Sequence, residues 1–195
     1  LRWMLTNKDE EIRVDGVNSL AEAAYLQALR IHIPSLLEDE SLRVKCAVLE
    51  MIATNQLEEY YSALIVGLYY KFTRSVAMNG LIKLGNEVLL MLSDLAKDIY
   101  QPEIARVYSL RTIGQIETLE AVDTLWQHLE TSKGKIKCHI LRTLLKRHQQ
   151  QGILALVDRS YENRVQVLIE RELKLLGQIY AASVDFKTQG EIYAA

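Results

Sequence analysis

Pro102–Ile116 reads PEIARVYSLRTIGQI and runs on into ETLEAVDTLWQHL, residues 117–129. Ala105, Ser109 and Ile113 recur at every fourth position with Arg111 between them, so small and apolar side chains share one helical face and charge lies opposite. Beyond Gly114 a second series follows: Leu119, Val122, Leu125, Trp126 and Leu129, backed by Glu120, Asp123, Gln127 and Glu130. Two amphipathic helices with a short turn between them make a helical hairpin.

The hairpin recurs along the chain. An apolar or small residue followed by a basic one occurs at Ile12-Arg13, Val44-Lys45, Thr73-Arg74, Ala105-Arg106 and Ile136-Lys137, 29 to 32 residues apart. Four positions on from the first member stand Gly16, Val48, Ala77, Ser109 and Ile140; eight positions on stand Leu20, Ile52, Leu81, Ile113 and Leu144. Small residues at the first of these let neighbouring helices approach closely. Between the copies lie further apolar stretches, Tyr25–Leu37, Leu57–Leu68, Val88–Leu95, Leu119–Leu129 and a shorter Ile153–Val157. Asp39, Glu40 and Ser41 before the second copy, and Pro102-Glu103 before the fourth, supply helix-entry chemistry. Pro34 is expected to kink its helix or mark its last turn.

A repeat of this period predicts an all-α chain, an α-solenoid of about five antiparallel helical hairpins spanning residues 9–147 within a single domain, 1–195. The stretch from about 153 to 195 is expected to cap it: apolar residues persist at Val165, Leu168, Ile169, Leu173, Leu176 and Ile179, but Gln166 replaces the basic residue and Glu170 and Glu172 break the apolar phase. With 9 Gly and 2 Pro in 195 residues, the chain has about half the turn formers of an average one, which excludes an ordinary β-sandwich or barrel.

The pattern resembles the HEAT repeats, in particular the short form of phycobilin lyase-like proteins, whose motif runs roughly D-x-x-V-R-x-x-A-A-x-A-L-G-x-I. Pro102–Ile116 matches it at Arg106, Ile113, Gly114 and Ile116, and Asp9 with Ile12-Arg13 matches in the first copy. Ser41, Tyr70, Pro102 and Lys133 stand where later copies would carry the Asp. The resemblance implies a scaffold that binds its partner along a concave face. It also implies, as an alternative, a lyase-like subunit that attaches or removes a bilin.

No HExxH, GxSxG, Walker A, GxGxxG or EF-hand pattern occurs, so the chain reads as non-catalytic and calls for no cofactor. His32, His128, His139 and His148 do not pair at helical spacing, and adjacent Cys138-His139 point to different sides of a helix, so no metal site is expected. Cys46 reads as core filling, and two distant cysteines fit a reducing, cytoplasmic setting. Tyr60-Tyr61 and Tyr69-Tyr70 each place one ring in the core and one at its wet margin, while Trp3 and Trp126 read as packing residues. Should Trp3 belong to the end of a preceding helix, it would instead be an exposed contact.

Charge is polarised along the chain. Residues 1–60 hold six Lys or Arg against eleven Asp or Glu, the remainder seventeen against fourteen, and no acid occurs between Thr131 and Val157. Outward positions of the repeat run from Asp15, Asn18, Glu22 and Glu50 through Asn79 to Lys83, Tyr108, Arg111, His139, Arg142 and Lys146. The last six are the expected partner-binding residues, with Tyr108 as anchor and the cations meeting acidic groups of a protein partner. The acidic first half and near-neutral total argue against the other alternative, nucleic-acid binding through the basic half. The longest apolar stretch, Tyr60–Tyr70, is half the length of a membrane helix. A start at Leu1 is expected of a piece of a longer protein, whose neighbouring domain is then a second candidate partner and which leaves a membrane-attached or multidomain parent open.

Overall fold

The computed structural model describes residues 1–22, 30–149 and, except for 169, 172 and 176, residues 166–182; for 147–149 it describes the backbone alone. Among them all regular structure is helical. The helices are α1 (Arg2–Leu5), α2 (Glu10–Glu22), α3 (Ile33–Leu37), α4 (Leu42–Thr54), α5 (Tyr61–Gly67), α6 (Arg74–Leu84), α7 (Leu89–Lys97), α8 (Glu103–Ile113), α9 (Leu119–Thr131) and α10 (Gly134–Gln149). The chain divides into two compact units, Leu1–Gln150 and Gln151–Ala195. In the second, the described residues of 166–182 are helical, with Leu173, Ile179 and Tyr180 largely exposed; Ile153–Val157, Val165 and Leu176 lie outside the described residues.

In the first unit the helices that open on the basic residue follow one another in contact: α2 packs on α4, α4 on α6, α6 on α8, and α8 on α10. Each also packs on the helix before it, as α1 with α2, α3 with α4, α5 with α6, α7 with α8 and α9 with α10. The repeat dictates what they bury. Gly16, Val48, Ala77, Ser109 and Ile140 are all buried, as are Leu20, Ile52, Leu81 and Ile113; only Leu144, in the last copy, is half-buried. Side chains four and eight positions apart on each helix thus form one continuous core.

Glycine is required where helices touch. A Cβ at Gly114 would lie 1.9 Å from Thr143 Cγ2 of α10, and one at Gly67 would lie 2.7 Å from Ala77 Cβ of α6. The Ser109 hydroxyl donates to the Leu92 carbonyl, tying α8 to α7 inside the core. Ser41 caps α4 by accepting from the Val44 amide, and Thr118 caps α9 by accepting from the Ala121 amide.

Two segments depart from the expected helices. Pro34 lies in the first turn of α3, after a 3₁₀ turn at Arg30–His32, and so opens that helix instead of ending it. The reason is that proline lacks the N–H of an interior turn and is accommodated where that donor has no helical partner. Leu57–Leu68 likewise divides into a 3₁₀ turn at Glu58–Tyr60 and α5. Trp3 is 68 % exposed, so it is not a packing residue of this unit, whereas Trp126 is half-buried on α9.

The basic residue that marks each copy has a structural task in three of them. Arg13 donates to the carbonyls of Asn7 and Lys8, and Arg74 to those of Leu68 and Tyr69, the same offsets within their copies. Arg106 reaches further back, to the Ala96 carbonyl. Each guanidinium thereby satisfies carbonyls left open where the preceding segment ends. Arg13 also pairs side-on with Asp39 of the next copy, Nε and Nη2 each 2.8 Å from a carboxylate oxygen. Burial would raise the Asp39 carboxyl, but hydrogen bonds from Arg13 and the Ser41 amide, with the charges of Arg13 and Lys45, outweigh it and hold it below its ordinary value. Replacing Arg13 by Met should cost roughly 1.5–3 kcal/mol of unfolding free energy, the range for hydrogen bonds to a charged group. Arg43→Met, which removes an exposed pair with Glu10 and Glu11, should leave the urea midpoint essentially unchanged.

Candidate functional site

The outward faces of α2, α4, α6, α8 and α10 form the candidate site. Counted from the residue before the basic one, position six carries Asn18, Glu50, Asn79, Arg111 and Arg142, and position ten carries Glu22, Thr54, Lys83, Gln115 and Lys146. Every one of these ten side chains is exposed. Lys83 Nζ lies 3.4 Å from Thr54 Oγ1, so equivalent positions on adjoining helices are side by side. The row is acidic at its α2–α4 end and basic at its α8–α10 end.

Of the six residues expected from the sequence, Lys83, Arg111, Arg142 and Lys146 are exposed, and Tyr108 and His139 are half-buried. Tyr108 and Arg111 share α8; His139, Arg142 and Lys146 share α10; Lys83 lies on α6. Two cations lie over the Tyr108 ring. The Arg74 guanidinium carbon sits 4.4 Å from its centroid and that of Arg111 sits 4.9 Å away. Arg111 comes from one helical turn along α8, whereas Arg74 comes from the neighbouring α6, where carbonyls of Leu68 and Tyr69 already fix it. Arg74 is absent from the sequence-based site. The spacing of Tyr108 from Arg111 is visible in the sequence, but contact with Arg74 requires the lateral register of α6 on α8.

Tyr60-Tyr61 follows the expected division, whereas Tyr69-Tyr70 lies further out than expected, with neither ring in the core. Tyr61 is buried and its hydroxyl donates to Glu87 Oε2 at 2.8 Å, while Tyr60 is half-buried; Tyr69 is half-buried and donates to Gln101 Oε1 at 2.7 Å, while Tyr70 is exposed. Burial, reinforced by Glu87 and Glu58, pushes the Tyr61 phenol up to about 12. Cys46 is half-buried with its thiol raised by burial and by Glu50, so it is held as a neutral thiol, and Cys138 is exposed. Among the described residues no three His, Cys, Asp or Glu side chains converge, and no helix is long and apolar enough to cross a membrane.

No protein-family model matches the chain, and no curated protein matches its sequence. The likeness to HEAT repeats therefore rests on the internal period and the residues quoted for it.

One buried group titrates in an accessible range. His128, in the last turn of α9, is 2 % exposed, and its Nε2 lies 2.9 Å from the Ser93 hydroxyl of α7. Burial and then the nearby Lys97 charge push its pKa down to about 4, against a smaller opposing pull from Asp94. An unfolded chain takes up this proton near pH 6.5, the folded chain only near pH 4. The stabilisation is therefore complete above pH 6.5 and is lost as pH falls towards 4, roughly 3 kcal/mol in all. Between those pH values the wild-type chain should lose about that much more stability than His128→Gln, as measured by urea unfolding. Parallel losses in the two proteins would show that His128 protonates in the folded state without penalty.

Proposed function

We propose that this chain is a non-catalytic helical-repeat module, an α-solenoid of about five antiparallel hairpins with a C-terminal cap, that binds an acidic segment of a protein partner along the exposed row of α6, α8 and α10. Lys83, Arg111, Arg142 and Lys146 meet carboxylates of the partner. Tyr108, braced by Arg74 and Arg111, offers a rigid ring at the centre with little freedom left to lose on binding. His139 lines the same row half-buried. The observation that carries this reading is the graded row itself: ten exposed positions, nine on the helices and Gln115 just past the end of α8, running from acid to base across helices in contact. A surface graded in this way fixes the direction in which a charged segment lies and speeds encounter with it. The acidic end at Glu22 and Glu50 repels a polyanion that would extend along the whole row, which favours a protein segment of limited length over nucleic acid.

The test uses a fluorescein-labelled decaglutamate peptide and fluorescence anisotropy at low salt. The double variant Arg111→Glu, Arg142→Glu should bind about tenfold more weakly or worse, and wild-type affinity should fall as salt rises. Lys8→Glu, an exposed change remote from the row, should leave binding intact. Equal affinity of the wild-type and doubly reversed chains would overturn the assignment.

A further inference from the structure

A cleft of about 520 Å³ opens where α7 ends, α8 begins and α9 turns into α10. Its apolar wall is Ala96, Ile99 and Ile136, and its cations are Lys97, Arg106 and Lys133, with Thr131 and Ser132 beside them. Among the described residues no carboxylate lines it. Asp98 accepts from the Tyr100 amide and from the Gln101 side chain, and its charge also acts on Arg106 without an ion-pair contact, while Asp94 acts on His128. His128 closes the cleft as a neutral ring bonded to Ser93. Lys97 and Lys133 are exposed and make no ion pair among the described residues, and Ser132 has no side-chain hydrogen bond there.

The internal repeat shows what this cleft lacks. Each marker arginine has an inner edge bound to backbone carbonyls and an outer side facing the next copy. For Arg13 that outer partner is the Asp39 carboxylate; for Arg74 it is the Tyr108 ring. Arg106 donates its Nε to the Ala96 carbonyl, and its terminal nitrogens have no hydrogen bond or ion pair among the described residues. Asp39 stands five positions before Val44; five positions before Ile136 stands Thr131, whose hydroxyl is already given to carbonyls of α9. Where the first pair of copies supplies an anion from the chain, the last pair supplies an open cleft and two further cations. α10, a helix of sixteen residues, begins one residue beyond Lys133.

We propose that this cleft is a binding site for a phosphate monoester, with Arg106 as its anchor, Lys97 and Lys133 as flanking cations, and the apolar carrier of the phosphate lying on Ile99 and Ile136. A single carboxylate, as at Arg13, balances one guanidinium. Three cations and an uncommitted hydroxyl suit a dianion with three acceptor oxygens. The phosphate belongs either to a small metabolite or to a phosphorylated side chain of a protein, and the chemistry of capture is the same.

The full chain, labelled with ¹⁵N, is titrated at constant ionic strength with inorganic phosphate, with phosphoserine and with a phosphoserine-containing peptide, against sodium chloride and acetate. Saturable shifts of the Ser132, Gly134 and Lys135 amides and of Arg106 Nε are expected with the phosphates and not with chloride or acetate. Lys97→Gln, Lys133→Gln, both exposed, should keep the fold by circular dichroism and weaken phosphate binding by about tenfold or more. Tighter binding of the peptide than of phosphoserine supports a protein-borne phosphate, and equal binding supports a small ligand. Shifts of equal size with chloride or acetate, shifts confined to the Lys83, Arg111 and Arg142 row, or unchanged affinity in the double variant would each overturn the proposal.

Discussion

Close contact between successive helices through their small and apolar positions is the constraint on which the first unit depends. Helices of 11 to 16 residues such as α6, α8 and α10 are marginal alone in water. They persist because Ala77, Leu81, Ser109, Ile113 and Ile140 leave water together, each helix completing the core of the next. The clearance at Gly114 and Gly67 shows how little slack there is. A helix fixed this tightly on its buried face has its opposite face fixed as well, and so the exposed row of charges keeps a constant spacing. The arrangement of the exposed face is a consequence of packing: its positions are held by residues on the buried side of the same helices.

Much of this was legible in the sequence because it depends on period alone. Once Ile12, Val44, Thr73, Ala105 and Ile136 are brought into register, the buried positions four and eight residues on follow from helical geometry, and so do the exposed positions six and ten on. What escaped depends on the chain's third dimension. Pro34 was expected to end or kink its helix, since a 3.6-residue period does not say on which side of a proline an apolar run begins. The 3₁₀ turn at Glu58–Tyr60 hides inside an apolar run for the same reason. Trp3 has the composition of a core residue and the position of a surface one. Arg74 could be recognised as a repeat marker, but its place on the Tyr108 ring is set by how α6 lies on α8.

The marker arginines show how one repeated residue comes to serve different ends. Their inner contacts are nearly invariant, because the carbonyls at the end of each preceding segment are a product of helix geometry and must be satisfied wherever a helix stops. Their outer contacts are free to vary, because they depend on whichever side chain the next copy presents. Asp39 turns Arg13 into a strut between copies; Tyr108 turns Arg74 into a brace for an aromatic ring; Thr131 leaves Arg106 exposed to a cleft. A guanidinium bonded to a carboxylate is held more firmly than one without such a partner, so the first case gains rigidity that the last does not have.

The same logic explains why the basic character gathers at one end. At the α2–α4 end, cations such as Arg13 and Arg43 are neutralised by Asp39, Glu10 and Glu11 within the chain, and the acids left over set the sign of the surface. Towards α10 the acids disappear from the sequence while the repeat still demands a basic residue at each helix start. Lys97 and Lys133 at the cleft, and Arg111, Arg142 and Lys146 on the row, then form no ion pair among the described residues, and Arg106 meets only the more distant charge of Asp98. Repulsion among them is tolerable because most are exposed, where water screens them. The ion pairs of the acidic end have no counterpart among the described residues on the exposed row of α8 and α10, so the surface keeps its positive sign there.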